Sequence, residues 1–211
     1  MLDLTLPVVL ARGAVLLPLA ALYGASLCHT ARLLGDAGPT QDGRATLNPF
    51  AHIDLIGALA FVAFGIGWIK PLSITPTVLK GGLASIVGVV LSGTLVLVLL
   101  AAAAAMLLPQ AGRLESLSAA QMLGFVLITL CRDSIGFALF NLLPVPPLSA
   151  GLLIDGVAPR AAAWIGRRAL LASVIMLVIV ASGLPDRLLD PGATMLIGLV
   201  SQDASAVLRT M

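Results

Sequence analysis

The chain has 211 residues, 59% of them hydrophobic and only 10% charged, with a formal net charge of +2 and a mean hydropathy of +1.09. Soluble domains carry about 25% charged residues, so a water-facing surface cannot be assembled from this composition. That excludes an ordinary soluble globule, a disordered tail and a nucleic-acid binder, which would need a basic face. The composition describes an all-α polytopic membrane protein, one integral-membrane domain over residues 1–211, with five to six transmembrane helices.

A hydrocarbon core about 30 Å thick takes roughly 20 apolar residues per helix. On that measure the predicted spans are 13–34, 53–69, 81–108, 119–143 and 168–184. The stretch 191–208 carries Gln202 and Asp203 and either crosses or lies at the interface. The start lacks the marks of a cleaved signal peptide, because Asp3 stands where a basic region belongs and no A-x-A site follows. The first helix is expected to be retained. Loop cations divide five against four: Lys70, Lys80, Arg160, Arg167 and Arg168 against Arg32, Arg44, Arg113 and Arg187. Orientation is therefore not set by the positive-inside rule.

Within the spans, Cys28 and Cys131 sit in apolar stretches and read as buried thiols, not a disulfide. Ala84, Gly88 and Ser92 form a small-residue ridge that admits a close helix neighbour, inside the chain or in an oligomer. Arg132 and Asp133 fall within the fourth predicted span. An unpaired arginine at the bilayer centre costs roughly 3 kcal/mol on insertion scales. Adjacent helical residues cannot face the same way, so each needs its own partner, on another span or on another protein.

Three segments are too polar or too irregular for lipid-facing helix. Residues 33–54, LLGDAGPTQDGRATLNPFAHID, are dense in turn formers and end at Asp54, placed to start a helix. Residues 67–77, GWIKPLSITPT, hold two prolines and suit a short extended strand at the membrane edge. Residues 141–151, NLLPVPPLSAG, put three prolines directly after a span. Irregular backbone at membrane depth persists only where protein or a water-filled cavity surrounds it.

These segments resemble, in order and spacing, those of the site-2 protease family, the zinc-dependent intramembrane metalloproteases. GRATLNPFAHIDLIG, residues 43–57, is very close to the family's G-R-x-T-L-N-P-x-A-H-I-D-x-I-G. GWIKP, residues 67–71, resembles its G-W-A-K-P-V, and FNLLPVPPL, residues 140–148, its F-N-L-L-P-I-P-P-L-D-G. The resemblance implies a site-2-protease-like core with short extended segments at the membrane edge. It also implies a zinc ion held by H-E-x-x-H and a later aspartate, with the Glu as general base.

Counting back from Gly35-Asp36 places the family's H-E-x-x-H on Tyr23, Gly24 and Leu27, and counting forward from Asn141 places its aspartate on Ser149. No H-E-x-x-H occurs anywhere, since Glu115 is the single glutamate. Where the family has A-G-P-x-x-N, residues 89–94 read VVLSGT. The expectation is a pseudoprotease: not an enzyme, with no zinc and no cofactor. Arg132, Asp133, His52, Asp54, Asn141 and Trp68 are then candidate structural or partner contacts.

The leading role is an accessory or assembly subunit of a larger integral-membrane complex. Two alternatives stand beside it. One is an intramembrane metalloprotease with a relocated active site, drawing on His52, Asp54 or Ser149; the other is a non-cleaving binder of transmembrane client segments. A transporter is disfavoured by the lack of an internal repeat. Expected partners are the lipid bilayer and other integral-membrane subunits, and Ala-, Leu- and Arg-rich usage suits a bacterial inner membrane.

Overall fold

A computed structural model describes residues 4–185 together with 187, 189, 191–192 and 194–195. Most of the predicted segment 191–208 lies outside the described residues. In chain order the helices are α1 (Leu6–Leu33), α2 (Gly38–Gln41), α3 (Leu55–Phe64), α4 (Leu83–Ala111), α5 (Leu117–Phe140), α6 (Leu152–Val157), α7 (Pro159–Gly166) and α8 (Ala169–Ala181). Three of them, α1, α4 and α5, are long and apolar enough to cross a membrane. At 28, 29 and 24 residues they reach about 36–44 Å, more than the hydrocarbon core requires. The protein is a helical membrane protein.

The described residues give three spans, or four if the bent pair α7–α8 counts as one. The sequence led us to expect five to six. The predicted span 53–69 shows why. Its helix, α3, stops after ten residues, about 15 Å. Gly65 takes a left-handed φ of +76° and its N–H caps the Phe61 carbonyl, a conformation that glycine adopts without steric cost. The chain then returns extended, and Ile69 forms an antiparallel bridge to Ile53. The apolar run is thus split between a helix and its return. The predicted span 168–184 is likewise shorter, with α8 covering 13 residues and meeting α7 at an 85° bend.

The bundle core is built from α1, α4 and α5, which pack on one another. One face of α1 buries Val15, Leu19, Tyr23, Leu27 and Ala31, four residues apart. From α4 it receives Ile86, Val90, Gly93 and Leu97, while Ala101 and Ala104 of α4 pack with Leu127, Cys131 and Ile135 of α5. The opposite row of α4, Leu91, Leu95 and Leu99, is exposed, as a lipid-facing stripe should be. Tyr23 and Phe137 meet edge to face with ring centroids 5.4 Å apart.

The small-residue ridge on α4 is not where the helices come closest. Ala84 is exposed and Gly88 meets only Leu34. The tight approach lies one position along, where the Tyr23 ring rests on the Gly93 backbone. Both cysteines are free and buried. A second cluster, centred on Trp68, Phe140 and Met176, seats α3 and α8 beside the bundle.

Candidate functional site

The three polar segments come together at one end of the bundle. Leaving α1, the chain turns at Gly35 and buries Asp36. One Asp36 oxygen accepts the Gly38 N–H at 2.8 Å and the other accepts the Thr75 N–H at 2.6 Å. Further along the same loop, Arg44 is also buried. Its two terminal nitrogens donate to the carbonyls of Lys70 and Pro71, each at 2.7 Å. The Lys70 N–H donates to the His52 carbonyl at 2.7 Å. Residues 69–75 are therefore fastened at both ends by the preceding loop. Charged groups supply the fastening, which is about twice as strong as neutral hydrogen bonding.

Between these fastenings Leu72, Ser73 and Ile74 belong to no helix or strand and, among the described residues, their backbone groups make no hydrogen bond. The sequence-based expectation of a strand over 67–77 resolves into this unpaired strip with a single bridge at Ile69. The strip forms one wall of a cavity of about 270 Å³. The turn 146–149 forms a second wall, and α6, α7 and α8 the rest, with Asp155, Ala162, Ile165 and Ala169 lining it.

The residues singled out in the sequence divide between this region and the bundle. His52 is fully buried. Its Nε2 lies 2.8 Å from the Thr46 carbonyl, so Nε2 must carry the proton and Nδ1 is left as an unpartnered acceptor. The ring packs directly against Gly24 of α1, and a side chain there would collide with it. Burial lowers the His52 pKa below its usual 6.5; the hydrogen bond to Thr46 opposes this and the Arg44 charge adds to it. Asp54 accepts the Gly57 N–H at 2.8 Å and is the N-cap of α3.

Asn141, fully buried at the end of α5, donates to the carbonyls of Gly67 at 3.0 Å and Phe137 at 2.9 Å. Its own carbonyl accepts the Ala150 N–H at 3.0 Å, which fixes the proline turn. Trp68 is 1% exposed, so it is a core residue and not a surface contact.

Arg132 and Asp133 face opposite ways. Asp133 is buried and pairs with Arg12 of α1 at 3.5 Å. The same Arg12 donates to the Val62 and Ala63 carbonyls at the end of α3, at 3.3 and 3.0 Å. One guanidinium thus joins α1, α3 and α5. Arg132 is exposed and has no ion pair or hydrogen bond among the described residues.

Tyr23, Gly24, Leu27 and Ser149 lie where α1 meets the proline turn. The Tyr23 hydroxyl sits next to Ser149 without completing a hydrogen bond. Leu27 is buried in the bundle core. A phenol, a glycine, a leucine and a serine do not make a zinc donor set, and the His52 ring fills the space beside Gly24. Among the described residues no three His, Cys, Asp or Glu side chains gather as metal ligands. The residues present do not fit zinc.

Sequence reasoning gave no site role to Asp36, Arg44 or Arg12. Arg44 stands inside GRATLNP, where the available signal was a lone cation in an irregular loop between apolar helices. Nothing in the spacing pointed Arg12 toward Asp133, 121 positions later.

No family model matches the chain, and no solved structure does. Over 138 residues it is 32% identical to a Bacillus subtilis (strain 168) protein named "Putative zinc metalloprotease YwhC". The match covers 62% of this chain and 61% of that protein, so the chain spans about three fifths of the relative's length. This similarity overturns the expectation that the chain is not an enzyme: it points toward one. That expectation weighed the missing H-E-x-x-H and aspartate and the altered segment 89–94, whereas the match extends over 138 residues.

Proposed function

We propose that the chain is a site-2-protease-like protein of a bacterial inner membrane and acts on polypeptide segments of membrane proteins. It holds them extended along Leu72–Ile74. The observation carrying this reading is the unpaired backbone of that strip, fastened at both ends and lining a cavity. An open edge of this kind recruits an extended peptide by main-chain hydrogen bonds. In lipid such an edge is tolerated only when shielded, and the cavity walls shield it. Peptide-bond hydrolysis is the reaction class named for the relative. Among this chain's own residues, Asp36 and Arg44 hold the strip taut, and Asn141 positions the turn opposite it. The Tyr23–Ser149 junction holds no zinc on this reading.

The test uses a photo-crosslinking residue at position 73, 145 or 95 of the full chain in detergent. The probe is a synthetic apolar peptide with a central Gly-Pro break, and its products are read by mass spectrometry. Adducts at 73 and 145 and none at 95, on the lipid face of α4, are expected. Equal adducts at all three overturn the reading. Metal analysis of the same sample is expected to find far less than stoichiometric zinc.

A second reading, a subunit of a larger integral-membrane complex, rests on Arg132. It lies eight residues before the end of α5, about 12 Å from that end. Helical side chains lean toward the N-terminus, here toward the bilayer middle, so reaching the near headgroups is difficult. A carboxylate on another membrane subunit would offset the roughly 3 kcal/mol cost of leaving Arg132 in lipid. Native mass in gentle detergent is expected to exceed that of the chain alone and to drop in Arg132→Leu. A chain that runs alone as wild type removes this reading.

A further inference from the structure

Asp155 is the one acidic side chain lining the cavity beside the strip. It is half-buried and, among the described residues, has neither a hydrogen bond nor an ion pair. The nearby cations do not serve it. Arg168 lies over the Trp164 ring at 4.2 Å and donates to the Trp164 carbonyl. Arg160 and Arg167 are exposed and form no pair with it. The rest of the lining is mainly apolar: Leu72, Ile74, Leu148, Ile165 and the small residues of α7 and α8. A carboxylate kept unpaired in such a lining lacks a positive charge close by. Burial alone raises its pKa, with no neighbouring cation to hold it down.

We infer that the cavity selects polypeptide segments carrying a lysine or arginine, whose cationic head pairs with Asp155 while the flanking backbone pairs with Leu72–Ile74. The inference rests on the reading proposed above and adds its specificity. At about 270 Å³ the cavity falls just below the roughly 300–1,000 Å³ typical of small-molecule sites. It suits one long side chain and its neighbours. A basic side chain can lay its aliphatic stem along the apolar wall and present only its head to the carboxylate. The unpaired strip argues for a polypeptide over a lipid, because a lipid tail cannot satisfy main-chain N–H and C=O groups.

Three fluorescent peptides, alike except for one central Lys, norleucine or Glu, are titrated against the full chain in detergent. The Lys peptide is expected to bind about tenfold tighter than the norleucine peptide, and the Glu peptide weakest. Asp155→Asn is expected to erase the Lys advantage, bringing the Lys and norleucine peptides to equal affinity. Asp155→Glu is expected to keep it, and raising the salt to shrink it; these two readouts stand even if the Asn variant folds poorly. A Lys advantage that survives in Asp155→Asn, or none in the wild type, overturns the inference and leaves the peptide-holding reading standing. Failure of all three peptides to bind overturns both. Loss of the Lys advantage on adding a phospholipid with an ammonium headgroup assigns the carboxylate to lipid and overturns the inference.

Discussion

The α1–α4–α5 bundle and the loop assembly at its end solve the same problem by different means. In the bundle, helices satisfy their own backbone groups and side chains need only fill space, as Leu19, Leu27, Ile86 and Leu97 do. At the membrane edge the backbone is irregular, and three buried side chains, Asp36, Arg44 and Asn141, satisfy it from outside. The difference explains how a strip with free backbone groups can persist at the edge of a lipid phase. The bundle has one exception, the Arg12–Asp133 pair, which extends the charged style of fastening into the helices.

Changes at five sites, Arg12, Asp133, Arg44, His52 and Leu95, sharpen that contrast. The largest effect is expected at the exception. Asp133→Ala leaves the partly buried Arg12 without its counter-ion and should cost toward the lower end of about 3–5 kcal/mol, seen as a large drop in Tm in detergent. Arg12→Met with Asp133→Leu should recover most of it, as apolar replacement of buried pairs generally does. Arg44→Ala should cost about 3 kcal/mol, because two carbonyls lose a charged donor. Amide exchange at Lys70 and Thr75, whose N–H groups the fastenings hold, should rise in that variant while α4 stays protected. Little change at these two amides would break the idea of a fastened strip.

A pH effect is expected next. His52 is held neutral by burial, with its folded pKa below the usual 6.5. The unfolded state binds the proton first, so this contribution is complete above pH 6.5. It falls away as the pH drops from there toward the lowered folded value. Thermal stability should therefore decline below pH 6.5, and His52→Gln should flatten that slope. The smallest effect is on the outer stripe. Leu95→Ala on the lipid face should stay within about 0.5 kcal/mol, since it removes no protein contact that the core depends on.

The bundle was readable from the chain because membrane-spanning helices announce themselves by length and composition. The predicted spans 13–34, 81–108 and 119–143 overlap α1, α4 and α5 closely. The helix start at Asp54 was readable too, since an N-cap is a local interaction. What hydropathy could not separate was a crossing helix from a helix plus its extended return, which is why 53–69 read as a span. The small-residue ridge was readable only in part: Ser92 meets the Ser26 carbonyl of α1, but spacing names several candidate faces and only the approach of Tyr23 selects Gly93. The motif stretches led to Tyr23, Gly24, Leu27 and Ser149, but the His52 ring packed on Gly24 joins segments 28 positions apart and leaves no local trace.

Low charge, apolar runs and three proline-rich interruptions thus determined, by themselves, a helical membrane protein with irregular segments at its edge. The reason is that solvent and backbone satisfaction act on composition and on neighbours along the chain. Only the tertiary structure decided that Arg12 answers Asp133, that Asp36 and Arg44 hold one strip from both ends, and that Asp155 faces a cavity unpaired. Each depends on a long-range approach between side chains, which no local pattern encodes.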